Sequence, residues 1–196
     1  MAGDKQDCKQ PKRAKKPLDR AKLGELALSY VARYATSSVK LQRYLARKLR
    51  ERGWEEGEDY PDLSEIAARY VELGYIDDEA FARTKSGSLL RRGYGTRRVD
   101  QALGQDGISS VIRDDIRAGE ADQRHAALAL AQKRRFGPFG MELPDPARRE
   151  KQIAAMLRAG HSLDSAREMV DAAEQDSALE WAHELDEDND ADDAIW

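Results

Sequence analysis

The chain has 196 residues, 36% charged and 40% hydrophobic, with a formal net charge of −4, enough apolar material for one domain or a few very small ones. No run approaches the roughly 18 apolar residues of a membrane span, and no apolar segment follows the basic N-terminal residues as a secretory signal would require. A single cysteine, Cys8, excludes an internal disulfide, and a cytoplasmic location is the expectation. Charge is spread unevenly: residues 1–100 hold 22 Lys and Arg against 16 Asp and Glu, net +6, and the remainder holds 11 against 21, net −10.

Residues 1–22 are basic, carry two prolines and show no periodic apolar positions, so they predict a disordered arm. From Leu23 to Ala173 the pattern is helical, and no stretch alternates apolar and polar residues as a strand would. Ser37 and Ser38 are placed to cap "VKLQRYLARKLRERG", which Gly53 closes. Within that helix Leu41, Tyr44, Leu45 and Leu49 share a core face, while Lys40, Arg43, Arg47 and Arg50 form a separate cationic stripe. Asp62 and Glu65 have capping-box spacing at the head of a helix running to Gly74. Asp77 and Asp78 place negative charge at the positive end of the next helix, "EAFARTKSGSLLRRG". A second core is expected from Phe81, Leu89, Val99, Leu103, Ile108, Ile112 and Ile116. A third is expected from Leu128, Leu130, Phe136, Ile153, Leu157, Leu163, Met169 and Val170, with residues 136–147 read as a loop. Residues 174–196 hold ten acids and no Lys or Arg, the composition of a solvated acidic tail.

An internal repeat organises these helices. Leu49 is followed by Gly53, Leu103 by Gly107 and Leu157 by Gly160, so the three glycines lie 54 and 53 residues apart. Each sits between two helices and is preceded by a third. The expected fold is all-α: three tandem three-helix repeats at 23–76, 77–119 and 120–173, each too small to bury a large core alone and so stacked as a curved solenoid.

No constellation of residues points to catalysis. His125, His161 and His183 stand apart in sequence with no paired Cys or His spacing, so no metal site is expected. His161, directly after Gly160, reads as a cap or a partly buried ring. Cys8, in a polar arm, has no ordered neighbour to lower its pKa, which makes it a poor nucleophile. Gly93-Tyr94-Gly95 has neither a preceding strand nor a third glycine in register, which excludes a dinucleotide fingerprint. No catalytic residue, cofactor or enzymatic activity is therefore expected, and binding is the surviving class. Arg50 and Arg52 have Glu51, Glu55 and Glu56 near them in sequence, whereas Arg91, Arg92, Arg97 and Arg98 have only Asp100. "LLRRGYGTRRV" is then a corner between two helices that carries four arginines, with Tyr94 at the junction and Val99 turned into the core.

Two stretches, "GYIDDEAFA" and "RRGYGTRRVDQALGQDGIS", resemble the RecX family, the bacterial regulators of the RecA recombinase. The matching positions are Gly74, Tyr75, Ile76, Asp77, Asp78, Phe81 and Ala82, then Gly93, Gly95, Val99, Leu103, Gly107 and Ile108. "ALSYVARYATSSVKLQRYLARKLRERGW" is similar to the family's first segment. The connection "WEEGEDYPD" is longer and more acidic than the family's usual link, and His161 stands where the family often has an aromatic. The resemblance implies three three-helix repeats lying along the RecA–DNA filament and inhibiting its ATPase, strand-exchange and co-protease activities, hence a role in recombination, DNA repair and the SOS response. It also implies no catalytic residues. The eight cations Lys40, Arg43, Arg47, Arg50, Arg91, Arg92, Arg97 and Arg98 become candidates for filament contact, with weak nonspecific DNA contact, no membrane association and a monomeric state. The alternative is a helix-turn-helix DNA-binding protein, in which the second and third helices of a unit meet at the Leu…Gly turn.

Overall fold

The structure is a computed structural model that describes residues 16–57 and 59–186. Among these residues there are ten α-helices and no strand; a lone bridge joins Leu18 to Trp54. The helices follow one another as α1 (Arg20–Val31), α2 (Ser38–Arg52), α3 (Leu63–Glu72), α4 (Asp78–Arg91), α5 (Thr96–Gln105) and α6 (Ser110–Asp115). Then come α7 (Glu120–Arg134), a short 3-10 helix at Gly137–Phe139, α8 (Pro146–Arg158), α9 (Leu163–Asp171) and α10 (Gln175–His183).

Helix starts lie where the capping residues predict. Ser37, Asp62 and Asp77 each accept a backbone N–H of the first turn, Lys40 at 3.2 Å, Ser64 at 2.8 Å and Ala80 at 2.8 Å respectively. The Asp62 carboxyl is held below its ordinary range by the Ser64 and Glu65 hydrogen bonds. The three repeat glycines all have left-handed backbone, with φ of +79° at Gly53, +82° at Gly107 and +99° at Gly160, the conformation that ends a helix cheaply only without a Cβ.

Three hydrophobic clusters follow the three units. Leu18, Leu23, Ala27, Leu41, Leu45, Leu49, Ala67 and Ile76 form the first, under α1–α3. The second is thin: Ala82, Val99, Leu103 and Ile108 are buried, flanked by partly buried Phe81, Leu89, Leu90, Ile112 and Ile116. The third, under α7–α10, is the largest and includes Leu130, Ile153, Met156, Met169 and Val170.

The structure corrects four sequence expectations. Within the arm at 1–22, the described residues 16–22 belong to the fold, with α1 starting at Arg20. Leu18 is fully buried, its N–H donating to Gly53 O at 3.0 Å and its carbonyl accepting from Glu55 N at 2.9 Å, because a leucine between polar residues finds a partner only in the tertiary fold. In the third unit the residue four before the glycine, Met156, is fully buried, whereas Leu157 and Leu163 are exposed; the repeat register, four residues before Gly160, outranks residue type. The loop at 136–147 contains the 3-10 turn and yields to α8 at Pro146, and Gly137 is buried with its N–H donating to Gln152 Oε1 at 2.8 Å. Finally, the acidic segment after 174 begins with α10, whose Ala178 and Ala182 are buried in the third core. Ala178 and Ala182, one turn apart, give that helix a small-residue face that lies against the alanine-rich side of α7. Residues 1–15, with Cys8, and 187–196 lie outside the described residues.

Candidate functional site

Polar contacts that sequence spacing does not reveal join unit 1 to unit 2. Ser37 Oγ donates to Asp106 O at 2.6 Å, and the Ser38 N–H and hydroxyl donate to the two oxygens of Asp78 at 2.8 and 2.6 Å. Asp77 is therefore the cap, while Asp78 ties the start of α4 to the start of α2. Gly107 packs against Val39 so closely that a Cβ would lie 2.3 Å from the Val39 Cβ.

This joint uses two of the eight candidate cations. Lys40 pairs with Asp106 at 3.4 Å, beside Lys85 on the same carboxylate, and both ammonium groups lie near the Phe81 ring. Arg43 donates to the carbonyl of Gln105, at the negative end of the α5 dipole. Further along α2, Arg47 pairs with Glu51 at 3.7 Å and lies 5.6 Å from the Tyr44 ring centroid. Arg50 is exposed with no ion pair among the described residues. The α2 stripe is therefore divided: two of its cations hold the units together, one is paired on its own helix, and Arg50 faces solvent.

The corner at 91–98 behaves differently. Gly93 and Gly95 are buried while Arg91, Arg92, Arg97 and Arg98 are all exposed. The glycines are needed for close approach: a Cβ on Gly95 would lie 2.3 Å from the Gly160 carbonyl carbon, and one on Gly93 would lie 2.8 Å from Leu130 N. The backbone there is pinned to unit 3, with Gly95 N–H donating to Ala159 O at 2.9 Å and Arg97 N–H to Gly160 O at 3.3 Å. His161, 3% exposed, places Nε2 3.0 Å from Gly93 O, so the protonated Nε2 donates to that carbonyl. Burial holds its imidazole below the ordinary histidine value, with the Gly93 contact opposing. Leu103 lies in the core beneath this corner, and the joint between the two helices of unit 2 is also the joint between units 2 and 3.

None of the four arginines makes an ion pair among the described residues. Arg92 lies 5.4 Å from the Tyr94 ring centroid and Arg98 donates to Gln101 Oε1 at 2.6 Å. Asp100, the one acid near them in sequence, pairs with Arg113 instead. Arg97 and Arg98 occupy the first turn of α5, where the positive end of the helix dipole disfavours cations. Arg91, in the last turn of α4, suits the negative end of that dipole, but none of the four cations has an acidic partner among the described residues, and two lie against a dipole. They form an electropositive corner on a backbone pinned to unit 3.

The histidines are not isolated. Arg124 on α7 donates to Trp181 O at 2.9 Å and pairs with Glu184 at 2.7 Å, its guanidinium 4.7 Å from the Trp181 ring centroid. That clamp brings His125 and His183, 58 positions apart, to a ring separation of 5.1 Å beside Asp186. The hydrogen bond from His183, joined by His125, holds the Asp186 carboxyl below its usual range. No spacing rule finds this cluster, because its members meet only when α10 docks.

Comparison with known proteins places these features in a family. Residues 77–115, which span α4–α6, match the family model described as RecX, second three-helix domain. The regulatory protein RecX of Myxococcus xanthus is 33% identical over 180 residues, covering 86% of this chain and 94% of that protein. The regulatory protein RecX of Halorhodospira halophila is 32% identical over 137 residues, covering 69% and 80%. The crystal structure of RecX from Lactobacillus salivarius superposes with a TM-score of 0.59 at 21% identity, over 77% of this chain and 94% of that one, and so shares the fold. With a relative of this identity aligned over nearly its whole length, the chain belongs to the RecX family of regulatory proteins.

Proposed function

We propose that this chain binds the RecA recombinase filament on DNA and restrains its ATPase, strand-exchange and co-protease activities, acting in the cytoplasm as a monomer. The reading rests on the four exposed arginines Arg91, Arg92, Arg97 and Arg98, which have no acidic partner among the described residues and are carried on a corner whose backbone is pinned to unit 3. A fixed cluster of cations is suited to an acidic protein surface or a phosphate backbone, because its ordering cost is met on folding rather than on binding. Arg50 is the other cation of the eight with no ion pair among the described residues; Lys40 and Arg43 act in the unit 1–unit 2 joint, so their replacement would disturb the stack before any partner.

A base-reading helix-turn-helix is the weaker reading. The third helices of the units open with "LSEIAARY", "SVIRDD" and "LDSAREMV", acidic or apolar turns that suit a major groove poorly.

The test is to add the protein to preformed RecA filaments on single-stranded DNA and follow DNA-stimulated ATP hydrolysis. Equimolar protein is expected to suppress hydrolysis, and the variant with all four arginines changed to Ala is expected to need at least about tenfold more protein for the same suppression, given a salt-dependent charge contact of roughly 1.4 kcal/mol or more. Undiminished ATPase and strand exchange with the parent protein would refute the function; an unchanged inhibition curve for the variant would refute the site.

A further inference from the structure

A cluster that the regulatory reading does not use lies in unit 3, between α7 and the end of α10. His125 Nε2 is 2.9 Å from Asp186 Oδ1, His183 Nδ1 is 2.8 Å from Asp186 Oδ2, and the three ligand atoms all lie within 4.8 Å of one another. We propose that His125, His183 and Asp186 form a binding site for one divalent transition-metal ion, of which Zn²⁺ is the reference.

The ligand chemistry is selective. Two imidazoles and one carboxylate suit an ion of borderline softness such as Zn²⁺, Co²⁺ or Ni²⁺, whereas Mg²⁺ and Ca²⁺ take oxygen ligands almost alone. Three protein ligands with water in the fourth position is a common zinc arrangement. A tetrahedral ion with bonds of about 2.0–2.1 Å keeps its donors about 3.3 Å apart. The two His–Asp pairs are a few tenths of an ångström closer than that, held together by the N–H···O hydrogen bonds that the ion would replace, and the two imidazole nitrogens lie within 4.8 Å of each other. Opening them requires only small side-chain rotations, because all three side chains are partly exposed, at 39% for His125, 41% for Asp186 and 55% for His183. The same exposure gives the ion a path in and leaves room for water ligands.

The supporting framework is built in. His183 is the last residue of α10 and Asp186 lies three residues on, past the turn that follows, where the carboxylate meets the His183 ring. His125 comes from α7, and its neighbour Arg124 fixes the intervening geometry by bonding Trp181 O and Glu184 on either side of His183. Ala178 and Ala182, buried in the same interface, set the distance between the two helices. The ion would thus tie α10, and the acidic segment that follows it, to the body of unit 3.

The experiment uses the full chain with Co²⁺ and Zn²⁺ as probes. Equilibrium dialysis should retain one Zn²⁺ per chain in the presence of excess Mg²⁺, and Co²⁺ should give the visible d–d bands of a tetrahedral complex without a thiolate charge-transfer band. His183→Ala and the near-isosteric Asp186→Asn should each weaken retention at least about tenfold, the loss of one ligand, while circular dichroism shows an unchanged helix content. Zn²⁺ should raise the melting temperature of the parent and not of either variant. Absence of Zn²⁺ retention, retention undiminished in both variants, or a thiolate band abolished by Cys8→Ser would each overturn the site, the last by placing the ion on the lone cysteine.

Discussion

Replacing Gly95 by alanine probes how units 2 and 3 are held together. Gly95 has φ −77° and ψ 167°, a conformation open to any residue, so beyond a small loss at the α5 N-cap the substitution acts by contact. The new methyl would lie 2.3 Å from Gly160 C and 2.4 Å from both Gly160 O and His161 N, all of them backbone atoms. Rotamer changes cannot relieve that overlap, and the two segments must part by roughly 1 Å to reach ordinary contact near 3.4 Å. Such a shift breaks the hydrogen bonds Gly95 N to Ala159 O, Arg97 N to Gly160 O and His161 Nε2 to Gly93 O. At about 1 kcal/mol each, their loss sums to about 3 kcal/mol, at the upper end of the 1–3 kcal/mol typical of overpacking. Urea denaturation should show a destabilisation of that size, and hydrogen exchange should show loss of protection at the Gly95 and Arg97 amides. Gly24→Ala is the control: nothing lies within 4 Å of its added Cβ, and in the middle of α1 it should stabilise by about 0.5–1 kcal/mol. A Gly95→Ala protein that unfolds within about 1 kcal/mol of the parent, with both amides still protected, would refute the close-approach argument.

Two further expectations concern the same unit. Burial lowers the folded-state pKa of His161, so protonation favours the unfolded chain. The stability linked to this group is fully present above the unfolded value of about 6.5 and is lost as pH falls through the folded value. The unfolding free energy should therefore decline on acidification below about pH 6.5, with that part of the slope missing in His161→Phe; parallel pH curves for the two proteins would contradict the assignment. Met156→Ala should cost about 2–5 kcal/mol and Leu157→Ala well under about 1 kcal/mol, measured by chemical denaturation, and the reverse order would restore the register expected from residue type.

Much of the candidate site was legible in the sequence. Four arginines with one acid near them already set "LLRRGYGTRRV" apart from the other basic helices, and the structure gives that acid, Asp100, to Arg113. The α2 stripe shows where such reading stops. Lys40, Arg43, Arg47 and Arg50 are equivalent by spacing, but Lys40 and Arg43 face Asp106 and the Gln105 carbonyl across a unit boundary. A helical repeat places side chains around one axis and says nothing about which neighbour covers that face.

The same physical division runs through the whole molecule. Local rules determined the helices, their caps and the three-unit order, because a cap bonds its own first turn and a left-handed C-terminal residue favours glycine wherever the chain goes next. Gly53, Gly107 and Gly160 could therefore be read in advance. Tertiary packing alone decided that Leu18 would be buried and that Met156 would displace Leu157 from the core. It also decided that the acidic segment would begin as a docked helix and that His125 would meet His183 and Asp186. Each of those outcomes depends on contacts between residues distant in the chain, whose energy is set by complementary shapes that no single segment carries.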